Sequence, residues 1–114
     1  NTRKALLFSV CSIDQVPEIE INAYRYLLDI ADEVECIHFE PVGWQMRKDV
    51  NQYHHTGSSQ TYAEIHNYNQ NLWSILNELA ENKEIHIEQT ESDLVNMNTD
   101  NSLSMIRWIT RKNG

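Results

Sequence analysis

The stretch Ala5-Leu6-Leu7-Phe8-Ser9-Val10-Cys11 decides how this chain is read. It is a short apolar run without alternation, and such a run predicts a strand buried on both faces, the kind found in parallel sheets. Ser12 to Glu20, with Pro17, follows as a loop off its carboxyl end. From Ile21 to Ala31 the apolar positions Ala23, Tyr24, Leu27, Leu28 and Ala31 recur at helical spacing. Val34-Glu35-Cys36-Ile37-His38-Phe39 returns to strand character, and Pro41 and Gly43 end it.

Trp44 to Gln60 is polar, rich in histidine and without periodicity, so it reads as a long loop of the kind that tends to be functional or disordered. Thr61-Tyr62-Ala63-Glu64 has the spacing of a capping box. Behind it Ile65, Tyr68, Leu72, Ile75, Leu76 and Leu79 mark one face of a helix running to about Glu81. Ile85-His86-Ile87-Glu88 is a third strand and Leu103 to Thr110 a fourth. Ser92 to Ser102 then makes the wide turn of an antiparallel pair, and the acidic stretch Glu81 to Asp93 is a solvated edge. The order β-α-β-α-β-β predicts an α/β fold, an open sheet of parallel strands closing with an antiparallel hairpin.

This order contains a conflict. A first strand buried on both faces needs helices on both sides and a neighbour on its far edge, yet two right-handed crossovers place both helices on one side. The expectation is that residues 1–114 form one unit that is the carboxyl half of a larger domain. A missing amino-terminal half, or a second chain, would cover the first strand.

Composition narrows the function. The chain has 114 residues, 40% hydrophobic and 23% charged, with nine Lys and Arg against seventeen Asp and Glu and a formal charge of −8. That balance argues against a sequence-tolerant grip on nucleic acid, which needs a basic surface. No apolar run approaches the roughly 18 residues of a membrane span. Cys11 and Cys36 lie in apolar runs rather than in a CxxC pair and read as buried thiols of a reduced compartment, with the cytoplasm as the default. Glycine occurs only at Gly43, Gly57 and Gly114, so no glycine-rich phosphate loop is present.

Ligands of open α/β sheets bind outside the carboxyl ends of the parallel strands. Those ends carry Ser12-Ile13-Asp14-Gln15 and Glu40-Pro41-Val42-Gly43-Trp44-Gln45, so Asp14 and Glu40 can face one cleft as a general base or as an orienting acceptor. The plainer reading makes Asp14 a cap and Glu40 a solvated turn residue. His54 and His55, with Glu64 and His66, offer imidazole and carboxylate groups. Adjacent histidines point opposite ways, however, and no HxxxH spacing occurs, so no metal site is assigned. His38 on its strand reads as a satisfied core histidine. Trp44 either stacks on a flat substrate or plugs the base of the loop. Trp73 and Trp108 are core positions, and Tyr53, Tyr62 and Tyr68 form the packing face of a lid.

Phe8-Ser9-Val10-Cys11-Ser12-Ile13-Asp14-Gln15-Val16 resembles the fourth strand and following loop of class I S-adenosylmethionine-dependent methyltransferases. Cys36-Ile37-His38-Phe39-Glu40-Pro41-Val42-Gly43-Trp44 resembles their fifth strand, and Asn101-Ser102-Leu103-Ser104-Met105-Ile106-Arg107-Trp108 the last strand of their closing hairpin. The resemblance covers nearly the whole chain and implies the second half of a Rossmann-like methyltransferase sheet, active only together with its first half. It implies S-adenosylmethionine as cofactor, lying over Ser9, Cys11 and Ser12. It also implies methyl transfer to a small sugar-like or hydroxyl substrate, with Asp14, Gln15 and Glu40 as catalytic candidates and Trp44, Gln45, His54 and His55 on the substrate side. The alternative is a non-enzymatic α/β interaction module that pairs through its first strand.

Overall fold

A computed structural model describes residues 3–47, 63–95 and 103–110. The elements are β1 (Lys4–Val10), α1 (Ile21–Arg25), β2 (Glu33–Glu40), α2 (Gly43–Arg47), α3 (Leu72–Glu81), β3 (Ile85–Val95) and β4 (Leu103–Thr110). A short 3-10 turn covers Ile13–Gln15, and a second, Tyr26–Asp29, continues α1. The fold is mixed α/β, with one four-stranded sheet in the order β1-β2-β4-β3. β1 and β2 are parallel, while β4 runs antiparallel to both β2 and β3.

One face of the sheet makes the core. Period-2 alternation along β2 sends Val34, Cys36, His38 and Glu40 to the buried side, and along β4 it sends Ser104, Ile106 and Trp108 there. Tyr24 and Leu28 from the first helical segment pack on this face, together with Leu72, Ile75, Leu76 and Leu79 from α3. Those four α3 residues fall at the i, i+3, i+4, i+7 positions of one stripe, and burying each contributes about 2 kcal/mol before entropy is counted. Arg25 spans α1 and the start of β3 by donating to both carboxylate oxygens of Glu84, Nε at 3.0 Å and Nη2 at 3.0 Å.

Within the described residues of this chain the first strand is covered on one face only. β1 is an edge strand among the described residues, and only Ala5, Leu7 and Ser9 turn toward the helices. Leu6, Phe8 and Val10 are 58%, 69% and 57% exposed on the opposite face. The reason is the one-sidedness of the helices: α1 and α3 both pack on the same face of the sheet.

Three expectations change. The helix expected from Ile65 to Glu81 is two pieces. Residues 63–65 form one turn that ends at Asn67, whose φ is +56°. Tyr68 N–H donates to Ala63 C=O and Asn67 N–H to Glu64 C=O, the paired bonds of a left-handed helix stop. Ile65 is consequently exposed rather than on the core face. The loop expected from Trp44 begins instead with α2, which carries Trp44 inward. The third strand extends to Val95, well into the expected turn, because two register shifts, at Ile87/Gln89 and Glu91/Val95, absorb its polar residues at the sheet edge. Thr61, Tyr62, Tyr53 and the rest of the long loop lie outside the described residues.

Candidate functional site

The parallel register sets Ser9 beside His38, and both face the helices. Two residues further along β2, on the same side, stands Glu40, fully buried at the strand's carboxyl end. Ser9 Oγ lies 2.5 Å from Glu40 Oε2 and 2.7 Å from His38 Nδ1. The backbone N–H of Ser12, just beyond β1, donates to the same Glu40 oxygen at 3.3 Å. The two strand ends are thereby joined through one carboxylate.

Behind it the polar chain continues into the core. Tyr24 Oη lies 2.6 Å from His38 Nε2, and Trp108 Nε1–H donates to Tyr24 Oη at 3.0 Å. Cys36 Sγ is 3.5 Å from His38 Nε2. Burial dominates the electrostatics here. It pushes the His38 imidazole down to about 4 and the Cys36 thiol up to about 12. The Tyr24 phenol is raised well above its ordinary range, again chiefly by desolvation. All three groups are neutral at pH 7.

A second polar cluster fixes the loop between β1 and α1. Asn69 is buried, and its Oδ1 accepts from the N–H groups of Asn71 and Leu72 at 3.0 and 2.7 Å, capping α3. Its Nδ2 donates to Val16 C=O at 2.8 Å. Asn71 exchanges two bonds with Ile19, accepting from its N–H and donating to its C=O, each at 2.9 Å. The start of α3 thus holds the segment that leaves the end of β1.

The structure distributes the expected site residues unevenly. It brings Ser9, Ser12 and Glu40 into direct contact. Cys11 is exposed at the end of β1 with a φ of +52°, its N–H donating to Phe39 C=O. Gln15 is exposed on the 3-10 turn, and the Asp14 side chain is outside the described set. Trp44 is buried on α2. Gln45 is buried too: its Nε2 donates to Asn69 C=O at 2.9 Å and its Oε1 accepts from Trp73 N–H at 3.0 Å, tying α2 to α3. His54 and His55 lie outside the described residues. Glu64 and His66 are exposed, with His66 stacked on Tyr68 at 5.5 Å, and among the described residues no group of three potential ligands gathers for a metal ion.

Tyr24 and Asn69 belong to these networks, and neither is among the candidates that the sequence points to. For Tyr24 the sequence offered only a core position; for Asn69 the signal was an asparagine three residues before the first apolar residue of the α3 stripe. A polar recess of about 580 Å³ on the outer side of α3 is lined by Gln45, Gln70, Trp73, Ser74, Asn77, Glu78 and Glu81, and none of Ser9, Ser12 or Glu40 borders it. No helix among the described residues is long and apolar enough to cross a membrane. No protein-family model, curated protein or solved structure matches this chain.

Proposed function

We propose that this chain is the carboxyl half of a class I S-adenosylmethionine-dependent methyltransferase domain acting on an oxygen of a small polar substrate. The observation that carries the reading is the junction of Ser9, Ser12 and Glu40, two adjacent parallel strand ends sharing one buried carboxylate. The order β1-β2-β4-β3, two parallel strands continued by an antiparallel hairpin, supports it as well.

S-adenosylmethionine, when bound, supplies an activated methyl group. The residues at the end of β1 suit such a ligand in part: Cys11 and Ser12 are exposed there, while the Ser9 hydroxyl is committed to His38 and Glu40. For Glu40 to accept a hydrogen bond from the substrate hydroxyl and take its proton, a contribution of about 10²–10⁴ in rate, its fully buried carboxylate has to be reached through an opening at the strand ends. Holding the reactants together supplies more. The test is label transfer from methyl-labelled S-adenosylmethionine to a panel of sugars and simple alcohols, using the protein purified from its natural source. Transfer that falls at least a hundredfold in Glu40→Gln is expected; no transfer to any hydroxyl compound overturns the reading.

A second reading, an interaction module, is favoured by a separate observation: Leu6, Phe8 and Val10 stand exposed on an edge strand. Open strand edges with apolar faces recruit other chains. This reading expects a stable dimer or complex, indifferent to S-adenosylhomocysteine, that Phe8→Asp disrupts. Sedimentation showing a monomer at high concentration contradicts it.

A further inference from the structure

The polar chain behind Glu40 takes its direction from the chemistry of its two ends. Trp108 at one end has only a donor, the indole N–H. That N–H takes one acceptor site of Tyr24 Oη at 3.0 Å, which leaves the phenolic proton for His38 Nε2 at 2.6 Å or for the Cys36 thiol, and the imidazole nitrogen is the stronger acceptor of the two. Nε2 is then an acceptor. In a neutral imidazole the proton therefore sits on Nδ1, which donates to Ser9 Oγ at 2.7 Å. Ser9 donates its single hydroxyl hydrogen to Glu40 Oε2 at 2.5 Å. The same oxygen accepts the Ser12 N–H, so the far end of the chain is an acceptor.

The opposite direction fails at one point. With the proton on Nε2, Ser9 would donate to Nδ1, and two oxygens 2.5 Å apart, those of Ser9 and Glu40, would face each other without a proton unless Glu40 itself were protonated. The direction of the chain and the charge of Glu40 are therefore locked together.

We propose that Trp108, Tyr24, His38 and Ser9 form a one-way hydrogen-bond chain that holds Glu40 as an ionised, oriented acceptor at the ends of β1 and β2. The four are positioning residues. The inference deepens the proposed function, resting on that reading only for what Glu40 then accepts; the chain itself rests on the distances above. Burial supports it by keeping the imidazole neutral, with Cys36 as the other titratable neighbour of Nε2. The chain also gives the buried His38 a task beyond filling the core.

The test is two-bond ¹H–¹⁵N correlation spectroscopy of the full chain with ring-labelled histidine at pH 7, in which the two neutral tautomers have distinct patterns. Of the five histidines, His38 is assigned by the signal lost in His38→Gln. His38 is expected as the Nδ1–H tautomer in the wild type and in Ser9→Ala, since Tyr24 sets it from the other end. In Tyr24→Phe, Nε2 loses its donor but Ser9 and the Glu40 carboxylate still call for a proton on Nδ1, so the Nδ1–H form is expected to persist, and the Nε2–H form to appear only when Ser9→Ala is added. An Nε2–H or a protonated His38 in the wild type overturns the proposal, and so does a Ser9→Ala variant whose tautomer reverses. If Tyr24→Phe does not fold, the wild-type and Ser9→Ala spectra still decide. Titrating the wild type with S-adenosylhomocysteine in parallel separates the two ideas: the tautomer judges the chain, and the ligand response judges the methyltransferase reading.

Discussion

The Ser9 hydroxyl and the Glu40 carboxylate, 31 positions apart in sequence, meet at 2.5 Å across two neighbouring parallel strands. A fully buried carboxylate is tolerated only when donors replace its lost water. Here Ser9 Oγ–H and Ser12 N–H are two of them.

Ser9→Ala removes one donor from a buried charge and leaves His38 Nδ1–H without its acceptor. Urea denaturation should show a loss of about 1–3 kcal/mol. Ser9→Thr, which keeps the hydroxyl, should restore most of it. Equal stability of all three proteins contradicts the assigned bonds.

His38 gives stability a defined pH dependence. Its folded value of about 4 lies below the ordinary 6.5, so between these values the unfolded chain binds a proton that the folded one refuses. The contribution is complete above about pH 6.5 and is lost as pH falls toward 4. The gap, at about 1.4 kcal/mol for each pH unit, sets a ceiling of roughly 3 kcal/mol. The stability difference between wild type and His38→Gln should shrink over that window in paired denaturation curves; a difference that is flat from pH 7 to pH 4 contradicts the buried neutral imidazole.

The two cysteines should separate in a thiol-labelling time course. Cys11 is exposed, whereas Cys36 is buried with its thiol pushed up to about 12. Since the thiolate is the reactive form, one thiol should label quickly and the other only on unfolding. Fast labelling of both contradicts the packing around Cys36.

Lys83 closes α3 with a φ of +63°, its N–H donating to Ala80 C=O while Glu84 N–H donates to Leu79 C=O. A left-handed conformation costs a residue with a Cβ about 1 kcal/mol that glycine avoids. Lys83→Gly should therefore raise the melting temperature by several degrees. Lys83→Val should lower it. A drop with glycine contradicts the helix stop.

The strands themselves were legible as short apolar runs, Val34 to Phe39 and Leu103 to Thr110, which stand in the structure as β2 and β4. The α3 stripe was legible from its 3.6-residue period. What failed was local. Apolar residues alone could not distinguish a strand covered on both sides from an edge strand with Leu6, Phe8 and Val10 exposed, because that depends on where the helices land. Asn67 stops a helix by adopting a left-handed conformation, and the periodicity of Ile65 and Tyr68 ran across it. At the site, Glu40 and Ser9 were visible as residues at strand ends. Their joining through one oxygen needed the parallel register, and the role of Tyr24 needed the packing of α1 onto β2, neither of which a linear pattern contains.

The central claim, that these strand ends belong to a methyl-transfer site, is tested most directly by one melting experiment. The protein purified from its natural source, at whatever length it occurs there, is heated with and without S-adenosylhomocysteine. A ligand that binds only the folded state at a hundred times its dissociation constant adds about 2.7 kcal/mol, so the melting temperature should rise by several degrees and continue to rise with ligand concentration. A melting temperature unchanged at millimolar S-adenosylhomocysteine contradicts the claim.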